Sequence, residues 1–192
     1  AVIFQLQSLD QFGGVSATHL DWTMVPYFRK SFMKHYIEAW MKDQQEYENS
    51  DCLALYDQTY TDALGVTRSA YEKWTDGAKE KFFEKTGLTK DDFKLSNKDK
   101  LNKRYYNSAL ADTIQELHQA VEAMYHNLNT LQSRSGDQLP FTSVNYGTCT
   151  EEEGRLVTRA LLLGSLEGIG FHHNTPIFPC GIFQYMKGVN DK

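Results

Sequence analysis

Residues 133–155 of the chain, SRSGDQLPFTSVNYGTCTEEEGR, contain a turn, a strand and the start of a helix in immediate succession. Gly136 lies among small polar residues at 135–138, which is typical of a turn because glycine tolerates positive φ angles. Segment 139–146 has the apolar and β-branched content of a buried strand, with Pro140 near its start, where a missing N–H costs least. These features predict a strand that is entered from a tight turn and leads directly into a helix.

Acidic residues mark the start of that helix. Thr150 and Glu153 have the spacing of a capping box, and Glu151 and Glu152 place negative charge at the positive end of the helix dipole. A metal site is the alternative for three adjacent glutamates. However, successive helical positions point about 100° apart, so the three side chains do not converge on one ion. We therefore predict a capped helix without a metal ion.

A second strand is predicted at 175–186, where TPIFPCGIFQYM is rich in isoleucine and phenylalanine. The helix between the two strands is longer than a dozen residues and ends near Gly168 and Gly170, which suits the crossover that joins parallel neighbours. Parallel strands are buried on both faces, so two strands alone do not make a complete sheet. The predicted fold class is α/β, with residues 133–192 forming a strand-helix-strand unit of a larger sheet.

Residues 1–132 are predicted to be mainly helical, with an insertion at about 42–107. Segment 2–12 has apolar residues at helical spacing, and Gly13 and Gly14 then break the pattern. The insertion mixes charged residues with many aromatics. Because disordered linkers are poor in aromatic residues, this composition favours an ordered surface elaboration.

Two helix starts are predicted between the paired glycines and the insertion. Thr18 and Asp21 have capping-box spacing for a short helical turn that ends at Val25. Pro26 suits the first position of a new helix, because its missing N–H would have no partner there anyway. In this second helix an apolar stripe recurs at every fourth residue, and two lysines share a different face. The stripe consists of Phe28, Phe32, Tyr36 and Trp40, and the lysines are Lys30 and Lys34.

The strongest periodic signal follows the insertion, where apolar residues alternate at spacings of four and three over three heptads. They are Leu110, Ile114, Leu117, Val121, Met124, Leu128 and Leu131. The pattern predicts a long helix packed lengthwise on another helix. Its partner is either a helix of the same domain or a helix of a second copy in a dimer, because both arrangements use the same spacing.

Composition narrows the class of protein. The chain has 192 residues, of which 41% are hydrophobic, enough for one domain with a core. Its net charge of -5 argues against general affinity for nucleic acids, which normally requires a basic surface. The sequence has neither a run of roughly 20 apolar residues nor a signal-peptide pattern, so we expect a cytoplasmic protein that does not enter the membrane.

The cysteines and histidines carry weak signals for chemistry. Cys52, Cys149 and Cys180 are widely separated and are expected to be free thiols. We expect Cys180 to be a small buried core residue. The dipole of the following helix could lower the pKa of Cys149, although a structural role is favoured. His118 and His126 are two turns apart, too far for a helical zinc pair, so no metal site is predicted.

Two separated blocks of the sequence resemble, in the same order, the anaerobic (class III) ribonucleoside-triphosphate reductases, which are glycyl-radical enzymes. The first block is LQSLDQFGGVSATHLDW followed by PYFRKSFMKHYIE. The second is SRSGDQLPFTSVNYGT followed by EEGRLVTRALLLGSLEGIG and TPIFPCGIFQYMKGVN. The resemblance leaves residues 42–107 unmatched. Because two blocks share the family's order, the signal is more specific than a single short motif.

The resemblance implies part of a ten-stranded α/β barrel and the reduction of ribonucleoside triphosphates to deoxyribonucleotides. It also implies a homodimer whose paired helices bind ATP or deoxynucleoside triphosphates as allosteric effectors. The effector-binding residues carried over are Lys34, Lys30 and Asn127, where relatives have a carboxylate in place of Asn127. A lysine ammonium is a flexible point charge that suits a triphosphate, although both lysines are equally consistent with a solvated helix face.

In the family, the redox-active cysteine, the thiyl-radical cysteine and the radical glycine lie in other segments, so no catalytic residue and no cofactor is expected within this chain. The parent enzyme would carry a glycyl radical generated by an S-adenosylmethionine iron–sulfur activase. We expect the chain alone to be inactive, with the remainder of the reductase chain and the radical-SAM activating enzyme as its partners.

Two other interpretations remain open at this stage. One is a non-catalytic nucleotide-binding or interaction module that lacks the radical machinery. The other is a domain of a different glycyl-radical enzyme, which would share the barrel but not the order of both blocks. The chain itself is expected to be either a piece of a longer protein or a natural short protein.

Overall fold

The computed structural model of the chain describes residues 14–43, 58–61, 63–130, 139 and 141–191. The predicted helix at 2–12, the predicted turn at 135–138 and Cys52 lie outside these residues. In chain order, the elements are β1 (Val15–Ala17), α1 (Leu20–Asp43), β2 (Thr59–Thr61), β3 (Thr67–Ser69), α2 (Ala70–Thr86), α3 (Lys103–Thr130), β4 (Thr142–Tyr146), α4 (Glu152–Glu167) and β5 (Cys180–Phe183). The chain divides into two compact units, which we call the sheet unit (residues 1–29 and 113–192) and the aromatic unit (residues 30–112).

The sheet unit contains a three-stranded sheet in the order β1-β4-β5, and both neighbouring pairs are parallel. Because α4 lies between β4 and β5 in the chain, the predicted strand-helix-strand unit with parallel strands is confirmed. Both strands are shorter than the segments predicted for them. Strand β1 was not predicted, because its three residues are too few for an alternating pattern to be visible.

The core of the sheet unit lies where α3 and α4 cover one face of β4. Val144 and Tyr146 of β4 are buried against residues of both helices. Tyr125 of α3 donates its hydroxyl hydrogen to the carbonyl oxygen of Leu161 in α4 at 3.1 Å. The heptad pattern therefore packs in part on a helix of the same unit. A dimer interface on α3 stays a prediction.

Helix α1 corrects the prediction of two helices between Thr18 and the insertion. It runs without a break from Leu20 to Asp43 and contains Pro26. A proline inside a helix removes one backbone hydrogen bond. The predicted apolar stripe is confirmed by the burial of Phe28, Phe32, Tyr36 and Trp40. We attribute the continuity of the helix to this burial, because packing of an amphipathic face supplies most helical stability in proteins.

The aromatic unit is organised around edge-to-face ring contacts. The ring of Tyr36 lies 6.0 Å from that of Phe82 and 5.3 Å from that of Phe93, and the Trp40 ring lies 5.2 Å from that of Phe82. The Tyr36 hydroxyl accepts the backbone N–H of Asn102 at 2.9 Å. Such contacts give the polar, aromatic-rich segment a core of its own. An antiparallel β2-β3 hairpin and two short 3-10 helices, Lys90–Asp92 and Leu95–Lys100, complete the described part of this unit.

The structure is thus mixed α/β with a small parallel sheet, as predicted, whereas the ten-stranded barrel stays a prediction. Within the described ranges, every helix is too short or too polar to span a lipid bilayer.

Candidate functional site

A cavity of about 460 Å³ opens at the carboxyl ends of β4 and β5. Gly147 directly follows β4, and Phe183 is the last residue of β5. In open parallel sheets, ligands bind in the crevice beyond the carboxyl ends of the strands, so this cavity is the candidate site. Its lining consists of Gly147, Cys149, Arg155, Thr158, Phe183, Gly188, Val189 and Asn190.

Arg155 and Thr158 supply the hydrogen-bond donors that α4 directs to the cavity. They are three residues apart on the helix and therefore share a face. Arg155 is exposed, and its guanidinium makes no ion pair with any residue that the structure describes. Phe183, at the end of β5, adds an exposed aromatic ring to the lining of the cavity. The cavity can therefore hold a ligand that combines oxygen acceptors with a flat or apolar part.

The loop between β4 and α4, residues 147–151, is held by a carboxylate of α1. Asp21 is fully buried, and its Oδ2 accepts the backbone N–H of Gly147 at 2.9 Å and that of Cys149 at 3.0 Å. Its Oδ1 accepts the N–H of Trp22 at 3.0 Å. The predicted capping box of Thr18 and Asp21 assigned this side chain the wrong role, because its Oδ2 accepts two N–H groups of a loop more than a hundred residues away in sequence.

Arg29 of α1 holds the far end of the same loop. Its Nε donates to Glu153 Oε1 and its Nη2 to Glu151 Oε2, each at 2.8 Å. Burial lowers the pKa of Arg29, but the hydrogen bond and charge of Glu153, followed by those of Glu151, outweigh it and raise the pKa above its ordinary value. The guanidinium therefore stays charged.

The Arg29 contacts also correct the predicted capping box of Thr150 and Glu153. Helix α4 begins at Glu152 with Glu151 as its N-cap residue, and no described side chain caps it by a hydrogen bond. Glu153 is buried and paired with Arg29 instead. An arginine within reach gains more from a buried carboxylate than a backbone N–H does, because both partners are charged. Among the described residues no group of side chains has the arrangement of a metal site.

Cys149 is buried, which agrees with the structural role favoured for it, whereas Cys180 differs from its prediction. Burial raises the pKa of the Cys149 thiol, while the hydrogen bond from the Glu151 backbone N–H lowers it by less and the charge of Asp21 raises it further. Burial therefore outweighs any lowering of the Cys149 pKa by the helix dipole, since burial favours the uncharged thiol. Cys180 is exposed on β5, so its predicted burial is wrong. Both are free thiols, as predicted.

Two asparagines that sequence reasoning did not single out fix the segments on either side of β5. The Asn190 amide donates to the carbonyl oxygens of Gly147 at 2.6 Å and Gln184 at 2.7 Å, which joins the two loops of the cavity. Asn129 of α3 accepts the N–H groups of Ile177 and Phe178. Neither residue stands in a recognisable motif. By contrast, Arg155 could have been found from its place in the first turn after a parallel strand.

The predicted effector residues lie in different units of the chain. Lys30 and Lys34 are exposed on α1 within the aromatic unit, one helical turn apart as predicted. Asn127 is partly buried on α3 within the sheet unit. None of the three lines the cavity. Their role in binding an effector stays a prediction.

Comparison with known proteins identifies what this chain is similar to. All of residues 1–192 match the family model described as anaerobic ribonucleoside-triphosphate reductase. A protein of that name from Haemophilus influenzae is 35% identical over 75 residues, which is 39% of this chain and 10% of the relative. A protein of the same name from Enterobacteria phage T4 is 34% identical over 84 residues, which is 44% of this chain and 14% of the relative.

The Escherichia coli protein of the same name is 32% identical over 80 residues, 42% of this chain and 11% of the relative. The matched stretches thus span only a small part of each curated relative.

Proposed function

The chain belongs to the anaerobic ribonucleoside-triphosphate reductase family, and we propose that the protein carrying it reduces ribonucleoside triphosphates to deoxyribonucleotides by radical chemistry. The proposal is supported by the family match over residues 1–192 and by the names of the similar proteins. The structural observation that carries it is the parallel β4-α4-β5 unit with a cavity at its carboxyl edge. Residues of this chain would bind and orient nucleotides, and the radical would be formed on other segments of the enzyme.

We further propose that β1, β4 and β5 form part of the wall of a ten-stranded barrel. All four residues of β5 are exposed, although strands of parallel sheets are usually covered on both faces. The proposal includes a cytoplasmic homodimer in which this segment works with the remainder of the reductase chain. It also includes a glycyl radical generated by a radical-SAM activating enzyme.

For allosteric control, we propose that Lys34 and Lys30 contact the triphosphate of an ATP or deoxynucleoside triphosphate effector, with Asn127 nearby in the dimer. Exposed ammonium groups one turn apart can follow a flexible polyphosphate. Because a second copy is expected to complete the site, the isolated chain should bind effectors weakly. Lys34→Ala should weaken effector binding in equilibrium dialysis of the whole enzyme, whereas the exposed Lys81→Ala should not.

The cavity suits the sugar or base of a nucleotide better than its triphosphate. The first turn of α4 and its contacts carry four carboxylates but only two guanidinium groups, namely Asp21, Glu151, Glu152 and Glu153 against Arg29 and Arg155. A triphosphate would meet a net negative field here, because like charges repel strongly in a partly buried site. We propose that Arg155 and Thr158 donate hydrogen bonds to sugar or base oxygens while Phe183 contacts the ring.

The decisive experiment measures nucleotide reduction by the anaerobically activated enzyme that carries this chain. Arg155→Ala should raise KM for the ribonucleoside triphosphate about tenfold or more, because a hydrogen bond from a charged donor is lost. Arg159→Ala is the matched control, since Arg159 is an exposed arginine one turn later on α4 that does not line the cavity.

Equal effects of the two arginine variants on KM would contradict the assignment of the cavity. Nucleotide binding without any reduction by the activated enzyme would instead favour the non-catalytic nucleotide-binding module.

A further inference from the structure

The loop at residues 147–151 needs an acceptor from outside its own strand and helix. Gly147 has a φ of 115°, so the backbone turns away from the ladder of β4 in a conformation that favours glycine. The N–H groups of Gly147 and Cys149 point to Asp21. Because buried backbone donors are almost always paired, the loop keeps this path only while an acceptor stands there.

Asp21 is suited to this role by its charge and its burial. It is fully buried, and its two carboxylate oxygens accept three backbone N–H groups in all. Hydrogen bonds to an ionised acceptor are roughly twice as strong as neutral ones. An amide at this position would lose the charge and would turn an NH₂ group towards one of the N–H donors.

The loop that Asp21 holds is also a wall of the cavity. Gly147 and Cys149 both line the cavity, whereas Asp21 does not. The carbonyl oxygen of Gly147 accepts a hydrogen bond from the side-chain amide of Asn190. A displacement of the loop would therefore change the shape of the cavity that Arg155 also lines. It would also uncover the Cys149 thiol, which is otherwise 2% exposed.

We infer that Asp21 is a positioning residue, which holds the loop at residues 147–151 in the path that keeps the Cys149 thiol buried and thereby sets the shape of the cavity. It acts through the loop and does not touch the ligand. The nature of that ligand, the sugar or base of a nucleotide, rests on the proposed function, but the path of the loop does not.

The rate at which iodoacetamide labels Cys149 tests whether Asp21 holds the loop in place. The folded whole enzyme is labelled with iodoacetamide, digested with trypsin, and the label is quantified in the peptide of residues 135–155, in which Cys149 is the single cysteine. Asp21→Asn should speed labelling of Cys149 about tenfold or more, since opening exposes the thiol more often. Asp99→Asn, which changes an exposed carboxylate, should leave the rate unchanged.

An unchanged Cys149 rate in folded Asp21→Asn would overturn the inference. If this variant does not fold, hydrogen exchange of the unaltered enzyme decides the matter. Overlapping peptides should show slow exchange at Gly147 and Cys149, and exchange at the rate of an unstructured peptide would overturn the inference.

A second readout separates this inference from the proposed function. Asp21→Asn should raise the nucleotide KM more than it lowers kcat. Combined with Arg155→Ala, it should raise KM by much less than the product of the two single effects, because both act through one cavity. Faster Cys149 labelling with an unchanged nucleotide KM would support the role of Asp21 in holding the loop and refute the nucleotide assignment of the cavity.

Discussion

Arg29 and Glu153 form an ion pair between residues 124 positions apart, with Arg29 Nε donating to Glu153 Oε1 at 2.8 Å. The Glu153 side chain is only 2% exposed, whereas that of Arg29 is 25% exposed. A buried carboxylate without a partner is costly, while the net worth of the pair itself is small. The ion pair therefore contributes more to positioning the start of α4 on α1 than to the free energy of unfolding.

The first prediction concerns the loss of one partner of this pair. Arg29→Met should lower the free energy of unfolding of the protein by about 3–5 kcal/mol, because the buried Glu153 carboxylate would lose the guanidinium charge that faces it. Urea denaturation measures the change. The matched control is the double variant Arg29→Met with Glu153→Leu, which should recover most of the loss. A double variant as unstable as Arg29→Met alone would contradict this account.

The second prediction concerns a tight contact between Gly154 of α4 and Cys149 in the loop before it. A Cβ at Gly154 would lie 2.2 Å from the Sγ of Cys149 and 2.7 Å from its Cβ. Gly154→Ala should therefore destabilise the protein by about 1–3 kcal/mol, as overpacking does elsewhere. Thermal unfolding measures the loss of stability in Gly154→Ala and in the double variant that also carries Cys149→Ala. The Cys149→Ala substitution should relieve only part of the clash.

Gly77→Ala is the control for this prediction. Gly77 lies inside α2, and a Cβ there would meet nothing within 4 Å. The substitution should therefore stabilise the protein by about 0.5–1 kcal/mol through helix propensity alone. Gly154→Ala with the same stabilising effect would show that the approach is not tight.

The sequence was sufficient to predict the β4-α4-β5 unit and the long helix α3, but it did not predict β1, the unbroken helix α1 or the long-range polar contacts. The parallel β4-α4-β5 unit follows from apolar content and turn residues, which are local signals. The roles of Asp21 and Glu153 were misassigned because a capping box is also a local signal, whereas their partners come from distant parts of the chain. Of the candidate site, only Arg155 could have been found in advance, from the rule that ligands bind beyond the carboxyl ends of parallel strands.

The third prediction compares two asparagines of α3. Asn129 Oδ1 accepts the N–H of Ile177 at 2.8 Å and that of Phe178 at 3.0 Å. Asn129→Ala should cost about 1–3 kcal/mol in urea denaturation, because the buried Phe178 would keep an N–H without an acceptor. Asn127→Ala should change stability by less than about 0.5 kcal/mol, since no described contact depends on that side chain. An equal loss of stability in the two variants would contradict the role of Asn129 in holding Ile177 and Phe178 in place.

The last prediction concerns alkaline pH. Burial raises the pKa of the Cys149 thiol above the ordinary 9.0, and it raises the pKa values of the Tyr125 and Tyr146 hydroxyls above the ordinary 10.0. As pH rises, the unfolded chain loses these protons before the folded one does, so it binds fewer protons and stability falls. The contribution of these groups is fully present below pH 9 and is lost as pH rises through the folded pKa values. Urea denaturation between pH 7.5 and 11 measures the decline.

Cys149→Ala should delay the onset of this decline to the pH range in which the tyrosines ionise. The decline has the same physical origin as the slow labelling expected of Cys149, namely the burial of its thiol. A pH profile that stays flat to pH 11 would therefore mean that the thiol and both hydroxyls remain accessible to water in the folded protein.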